Sequence, residues 1–240
     1  ITVVVYLFFT YKKNFFKSFY ESGLPGFFGG LALSVGFVAY VFAMYTTTVA
    51  NTNFIITLET IFLALFGYFF LKEKINLITL ISIILGISGV LIILGNSLTI
   101  QSSEQFLGNI VALIMPISFA VLVIIVRSYP DVDMVPSTFT AGIAAALIGF
   151  FIADQLIMSF KDFILASIAG IFQIGFGFIL ITVGSRTTPA AVVGVLMLTE
   201  SVFGPLWAWL FINEIPPVTV LIGGGVIISA ILFQSVFGKK

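Results

Sequence analysis

Apolar runs of about 20 residues, each closed by a short polar or Gly/Pro-containing stretch, fill nearly the whole chain. The hydrocarbon core of a bilayer takes about 20 apolar residues per helix. The punctuation marks eight such runs, near 26–47, 49–71, 75–95, 107–126, 135–153, 164–183, 190–212 and 217–237. Ahead of them, Ile1–Tyr11 is only part of a span, without the basic leading region or small-residue cleavage site of a signal peptide. Strands of a membrane barrel would alternate apolar and polar over roughly ten residues, and these runs do not. The pattern predicts an all-α polytopic membrane protein with eight full transmembrane helices plus a partial one.

The pattern also occurs twice. Gly36–Ile92 lies over Gly177–Phe233 without a gap at an offset of 141 residues. Identical pairs include Phe37/Phe178, Thr46/Thr187, Thr47/Thr188, Phe62/Phe203, Phe70/Phe211 and Ser88/Ser229. Apolar matches are cheap in such a chain, but acids are scarce, and Glu59/Glu200 and Glu73/Glu214 keep the same spacing in both copies. Internal duplication in an apolar chain is how many secondary transporters are built. On this offset Ile1 corresponds to Gly142, inside the fifth full span, and the span from Leu107 has no partner in the first half. The expectation is a ten-helix parent of five plus five, with about 35 residues, one helix and half of another, upstream of Ile1. Five is odd, so the copies enter the membrane in opposite directions and the repeat is inverted. Residues 1–95 form the first repeat, incomplete at its N-terminus, and 107–237 the second.

Composition agrees: 60% of residues are hydrophobic, 8% are charged, and the mean hydropathy is +1.24. A soluble domain of this length has too little interior to hide that surface. Net charge is zero, so the informative quantity is where the charges sit. Taking the connections alternately, Lys12, Lys13, Lys17, Lys72, Lys74, Arg127, Arg186, Lys239 and Lys240 share one side, and Lys161 stands alone on the other. By the positive-inside rule the first side is cytoplasmic. The protein is expected in the cytoplasmic (inner) membrane, with its C-terminus in the cytoplasm.

The chain has no cysteine and no histidine, which removes thiol and imidazole catalysis, the usual zinc ligand sets and axial haem ligation by those residues. The longest connection, Asn96–Gln105, leaves no room for a soluble catalytic domain. Asp131, Asp133, Asp154 and Asp162 all fall at span ends, where an intramembrane aspartyl protease would need two in mid-helix. No glycine-rich phosphate loop is present. No enzyme activity, catalytic residue, metal, cofactor or nucleic-acid partner is expected.

Glu59 and Glu200 are the sharpest features. Each lies near the middle of its span, where an ionised side chain costs about 2.5–3.5 kcal/mol on insertion scales. Such a residue normally faces protein or a water-filled cavity. Two readings stand side by side: a titrating or substrate-polar site at the midplane, or a hydrogen-bonded Glu that ties helices together through neighbours such as Thr60 or Ser201. Seven residues is nearly two helical turns. Phe66 therefore shares a face with Glu59, and Trp207 with Glu200, while Thr52 and Val193 lie on those faces in the other direction. Such an aromatic either walls a pocket or only packs, and Trp209, near the span end, reads as interfacial belt. Gln173, in mid-span, is either a site residue or a helix-to-helix hydrogen bond. Glu73 and Glu214 end their spans and read as turn acids, each well placed at the N-terminus of the following helix. Pro116 and Pro205 predict kinks.

The runs Thr46-Thr47-Thr48-Val49-Ala50, Leu58-Glu59-Thr60-Ile61-Phe62, Leu71-Lys72-Glu73-Lys74 and Gly86-Ile87-Ser88-Gly89-Val90 together resemble the EamA-type repeat of the drug/metabolite transporter superfamily. The second copy, from Thr187-Thr188-Pro189-Ala190-Ala191 through Thr199-Glu200-Ser201-Val202-Phe203 to Asn213-Glu214, is similar. It departs in having Asn213 where the family often has Gly before its acid. The resemblance implies ten helices in inverted five-helix halves, cytoplasmic termini, a central cavity, and export or exchange of small organic metabolites, often amino acids, by alternating access. No Lys or Arg lies in mid-span, which favours a neutral or zwitterionic solute, with protons as a candidate coupling ion. The rivals are an exchanger of sugar phosphates or nucleotide sugars, whose anionic substrates would favour cationic groups at cavity depth, and a non-transporting membrane scaffold or sensor.

Overall fold

The computed structural model describes residues 1–94, 102–153, 157–213 and 215–238, which form helices and no strand. In order these are α1 (Thr2–Tyr11), α2 (Phe15–Thr46), α3 (Val49–Thr57), α4 (Glu59–Leu71), α5 (Leu77–Leu94), α6 (Ser103–Ala112) and α7 (Ile114–Ser128). They continue as α8 (Val135–Ile152), α9 (Phe160–Ile168), α10 (Gly177–Ser185), α11 (Ala190–Met197), α12 (Thr199–Ile212) and α13 (Val218–Phe237). Stacked end to end where they are interrupted, they make eight apolar segments long enough to cross a membrane.

The interruptions have separable causes. In α2, Gly23 takes φ +52° and ψ −154°, open to glycine alone, and Pro25 follows in the first turn of the resumed helix. Between α6 and α7 the cause is Pro116, which has no N–H for the carbonyl of Ala112, so the helix tightens at Leu113, whose N–H reaches Ile110 O. A π-helical stretch, Ala169–Phe176, joins α9 to α10. The breaks before Glu59 and Glu200 contain neither Gly nor Pro. Leu58 and Leu198 stay in the right-handed region, with ψ −12° and −15°, and the turn tightens there: Leu58 N–H reaches Ile55 O, and Leu198 O accepts from Ser201 N.

The chain divides into two compact units. The first comprises Ile1–Val38 and Val121–Thr187. Its core is Val3, Leu7, Val135 and Ile179, with Phe15, Phe19 and Phe139 packed against it. Tyr11 donates to Asp133 Oδ2 at 2.9 Å, and Asp133 in turn accepts from Val135 N at the start of α8.

The second unit comprises Ala39–Ala120 and Thr188–Lys240. Its centre is the pair α5 and α13, equivalent elements of the two repeats. Gly89 faces Ile227 and Gly223 O, while Gly223 faces Gly89 O and Ile93. As one helix ascends the other descends, so the two copies of this element pack antiparallel. A Cβ on Gly89 would lie 2.7 Å from Gly223 O, so only glycine allows the backbones this close. The helices α4 and α11 also run antiparallel at close range: Thr60 Oγ1 donates to Gly194 O at 3.0 Å, and Gly67 lies opposite Ala190.

The first span begins well before the point read in the sequence, its helix starting at Phe15 rather than near 26, while the limits of the other seven differ by only a few residues. The partial N-terminal span, α1, runs through a short 3₁₀ turn at Lys12–Asn14 into α2.

Candidate functional site

A cavity of about 270 Å³ lies inside the second unit, where the interruptions of the two repeats come together. From the first repeat it is bordered by Asn53, Ile56 and Thr57 of α3 and Glu59 of α4. The second repeat supplies Met197 and Leu198, then Glu200, Ser201, Gly204 and Pro205 of α12. Val90, Ile93 and Leu94 of α5 complete the wall.

Each Glu stands in the first turn of the half-helix that follows an interruption. Glu59 is 5% exposed, whereas Glu200 is accessible. Among the described residues, neither carboxyl has a hydrogen-bond or ion-pair partner. The hydroxyls beside them are turned elsewhere: Thr60 to Gly194 O, Thr57 to Phe54 O at 2.6 Å, and Thr199 to the carbonyl of Leu196. Pro205 has no N–H to offer the carbonyl of Ser201 one turn below, and both residues border the cavity.

The other residues singled out in the sequence lie outside this lining. Thr52 is fully buried, with its hydroxyl on Thr48 O at 3.1 Å. Counting back seven residues from Glu59 assumes one continuous helix, and the break at Leu58 ends that register, leaving Asn53, Ile56 and Thr57 on the cavity. Phe66 stacks in a row with Phe62 and Phe70, at centroid distances of 6.0 and 5.6 Å. Trp207 sits in the equivalent row with Phe203 and Phe211, at 6.2 and 5.7 Å. The duplicated rows follow from aromatic residues repeated at i, i+4 on both copies. Gln173 is exposed on the π-helical stretch of the first unit.

Glu73 has a different partner from the one its position suggests. The start of α5 is capped locally by Asn76, whose Oδ1 accepts from Thr79 N at 2.7 Å. The carboxylate of Glu73 instead accepts from Ala190 N at 2.8 Å, capping α11 of the other repeat. A carboxylate suits a helix N-terminus because it meets unpaired N–H groups and the positive end of the dipole. Glu214 lies outside the described residues. The two arginines are engaged at helix ends: Arg127 Nη1 donates to Arg186 O at 3.2 Å, and Arg186 Nε to Pro130 O at 2.9 Å.

Asn53, Thr57 and Ser201 were not singled out in the sequence. Asn53, Ile56 and Thr57 follow i, i+3, i+4 spacing, which would have marked one helical face, but only the position of the break says which face meets the cavity.

A family model described as the EamA-like transporter family matches residues 1–95 and 104–236. A protein of Clostridium kluyveri, named an uncharacterized transporter, is 26% identical over 222 residues, covering 88% of this chain and 71% of that one. Another uncharacterized transporter, from Methanothermobacter thermautotrophicus, is 25% identical over 205 residues; the match covers 80% of this chain and 58% of that protein's length. A solved structure described as the crystal structure of a protein superposes with a TM-score of 0.78 at 18% identity, covering 90% of this chain and 76% of that one. That last likeness concerns the fold alone.

Proposed function

The chain belongs to the EamA-like transporter family and is a multi-pass membrane transporter; from that premise we propose that it moves small neutral or zwitterionic organic solutes, amino acids among them, by alternating access. The observation that carries the reading is the shared cavity, to which each repeat contributes one carboxyl beside a helix interruption. Interrupted helices at the repeat interface are where secondary transporters build their sites. A cavity of about 270 Å³ lies just below the roughly 300–1,000 Å³ of drug-sized sites, a size suited to a small metabolite.

Alternation needs a contact that closes on one side while its counterpart opens. The antiparallel tie between α4 and α11, with Thr60 on Gly194 O and Glu73 on Ala190 N, supplies the closed side. Its repeat-related counterpart, α3 against α12, has no comparable packing among the described residues. In this reading the end bearing Lys72 and Lys74 is cytoplasmic, as is the C-terminus, and the membrane is the inner one. Glu59 and Glu200 are the coupling groups, exchanging protons as solute enters and leaves. Transport proceeds as export or exchange. The sugar-phosphate alternative is the weaker one, because among the described residues no Lys or Arg borders the cavity and Arg127 and Arg186 are engaged at helix ends.

Counterflow by the full-length protein in proteoliposomes tests this, using a panel of amino acids, neutral metabolites and sugar phosphates. Exchange of neutral or zwitterionic solutes is the expected result. Exchange confined to sugar phosphates overturns the substrate class, and no exchange of any solute favours the scaffold reading.

A further inference from the structure

Among the described residues, the cavity of the second unit is bordered by two carboxyl side chains and by no basic one. Glu59 is almost wholly buried and, like Glu200, has no partner among the described residues. The hydroxyls of Thr57, Thr60 and Thr199 donate to main-chain carbonyls. A strong acceptor inside protein without a donor is costly. What this site lacks, among the described residues, is a compensating positive charge.

The rest of the wall describes the rest of the ligand. Ile56, Val90, Ile93 and Met197 offer an apolar surface, while Asn53 and Ser201 are small neutral polar groups that carry no charge of their own. An anionic head group would meet two like charges there with no cation to offset them. An alcohol would bring one donor and no charge.

We propose that the cavity recognises its solute through a protonated amine: Glu59 and Glu200 hold the ammonium group of a small amine or amino acid, and its apolar body lies against Ile56, Val90, Ile93 and Met197. An ammonium carries three donors and no acceptor, so it serves two carboxylates at once through charge-assisted bonds. The inverted repeat explains why the acids come as a pair, since each copy contributes one. This assignment rests on the transport reading for its purpose, but binding and movement are measured separately.

Three probes share one carbon chain and differ only in head group: pentylammonium, pentanol and pentanoate. Each is titrated against the full-length protein in detergent, and the rise in melting temperature reports binding. Pentylammonium is expected to stabilise saturably, with pentanol at least tenfold weaker and pentanoate without effect. Glu200→Gln and Glu59→Gln are each expected to weaken pentylammonium at least tenfold and to leave pentanol unchanged. Glu200 is accessible, so its variant keeps the test valid if the buried Glu59→Gln protein does not fold. Pentanol binding as tightly as pentylammonium, or both Gln variants binding the amine like the parent, overturns the proposal. Amine binding without movement in proteoliposomes upholds the ammonium site and overturns the transport reading. Glu-independent movement of neutral solutes does the reverse.

Discussion

Phe37 and Phe178, identical residues 141 positions apart in the two repeats, meet edge to face with ring centroids 5.2 Å apart and planes at 89°. A residue in contact with its own repeat equivalent marks a place where a pseudo-two-fold axis passes. Edge-to-face geometry sets the positive ring edge against the negative face and contributes about 0.5–1.5 kcal/mol beyond burial. A double-mutant cycle of Phe37→Ala and Phe178→Ala, followed by unfolding in mixed micelles, is expected to give a coupling energy in that range. A coupling energy near zero would show that the rings act independently.

Close packing of α5 on α13 depends on two glycines. Gly89→Leu is expected to destabilise the protein by about 1–3 kcal/mol or more, because the added side chain meets Ile227 and the backbone of Gly223. Gly225→Leu on the same α13 is the control. A Cβ there has nothing within 4 Å, and surface changes of that kind stay within roughly ±0.5 kcal/mol. Equal losses for both variants, read from melting curves in one detergent, would place the helix contact elsewhere.

The Glu73 carboxylate ties two repeats through Ala190 N. Its replacement by Ala is expected to cost about 1 kcal/mol at that helix start, which is roughly a fivefold shift in an opening equilibrium. The chain has no native cysteine, so a single Ala64→Cys reporter in the α4–α11 contact reads the opening directly. Labelling by an impermeant maleimide is expected to be about five times faster with Glu73→Ala. An unchanged rate would mean the bond does not hold this side closed.

Lys72 and Asn213 occupy equivalent positions and both take the left-handed conformation, with φ 56° and 54°. Each ends its span at the same point, and the N–H groups of Lys72 and Glu73 both turn back to Gly67 O. Left-handed backbone costs a side-chain-bearing residue about 1–2 kcal/mol. Lys72→Gly and Asn213→Gly are therefore expected to be neutral or stabilising by up to about 1 kcal/mol, and Lys72→Val clearly destabilising. Loss of stability in either glycine variant would indicate that the original side chain makes a needed contact.

The coupling role proposed for the paired acids predicts a split between two transport measurements. At saturating solute, Glu59→Gln and Glu200→Gln are expected to retain exchange in proteoliposomes while losing accumulation driven by a pH gradient. Glutamine keeps shape and hydrogen-bonding capacity but cannot titrate. Normal gradient-driven accumulation in both variants would leave the carboxyls a purely structural or binding role.

The sequence by itself determined the all-helical membrane architecture, the eight spans and the duplication that pairs Glu59 with Glu200. These properties are local or strictly periodic: span length follows from apolar run length, and a repeat is visible wherever residues recur at a fixed offset. Breaks carrying their own chemistry were legible too, as at Pro116. The tertiary structure alone decided where the remaining polar groups point. Leu58 and Leu198 carry no helix-breaking signal, yet the helix is interrupted at both. Beside the break at Leu58, Asn53 and Thr57 border the cavity while Thr52 is buried. Glu73 reads as a local turn acid until the fold brings Ala190, 117 positions away, within hydrogen-bonding reach. A side chain's partner is set by contacts distant in sequence, and hydrophobic periodicity specifies only which face of a helix is apolar.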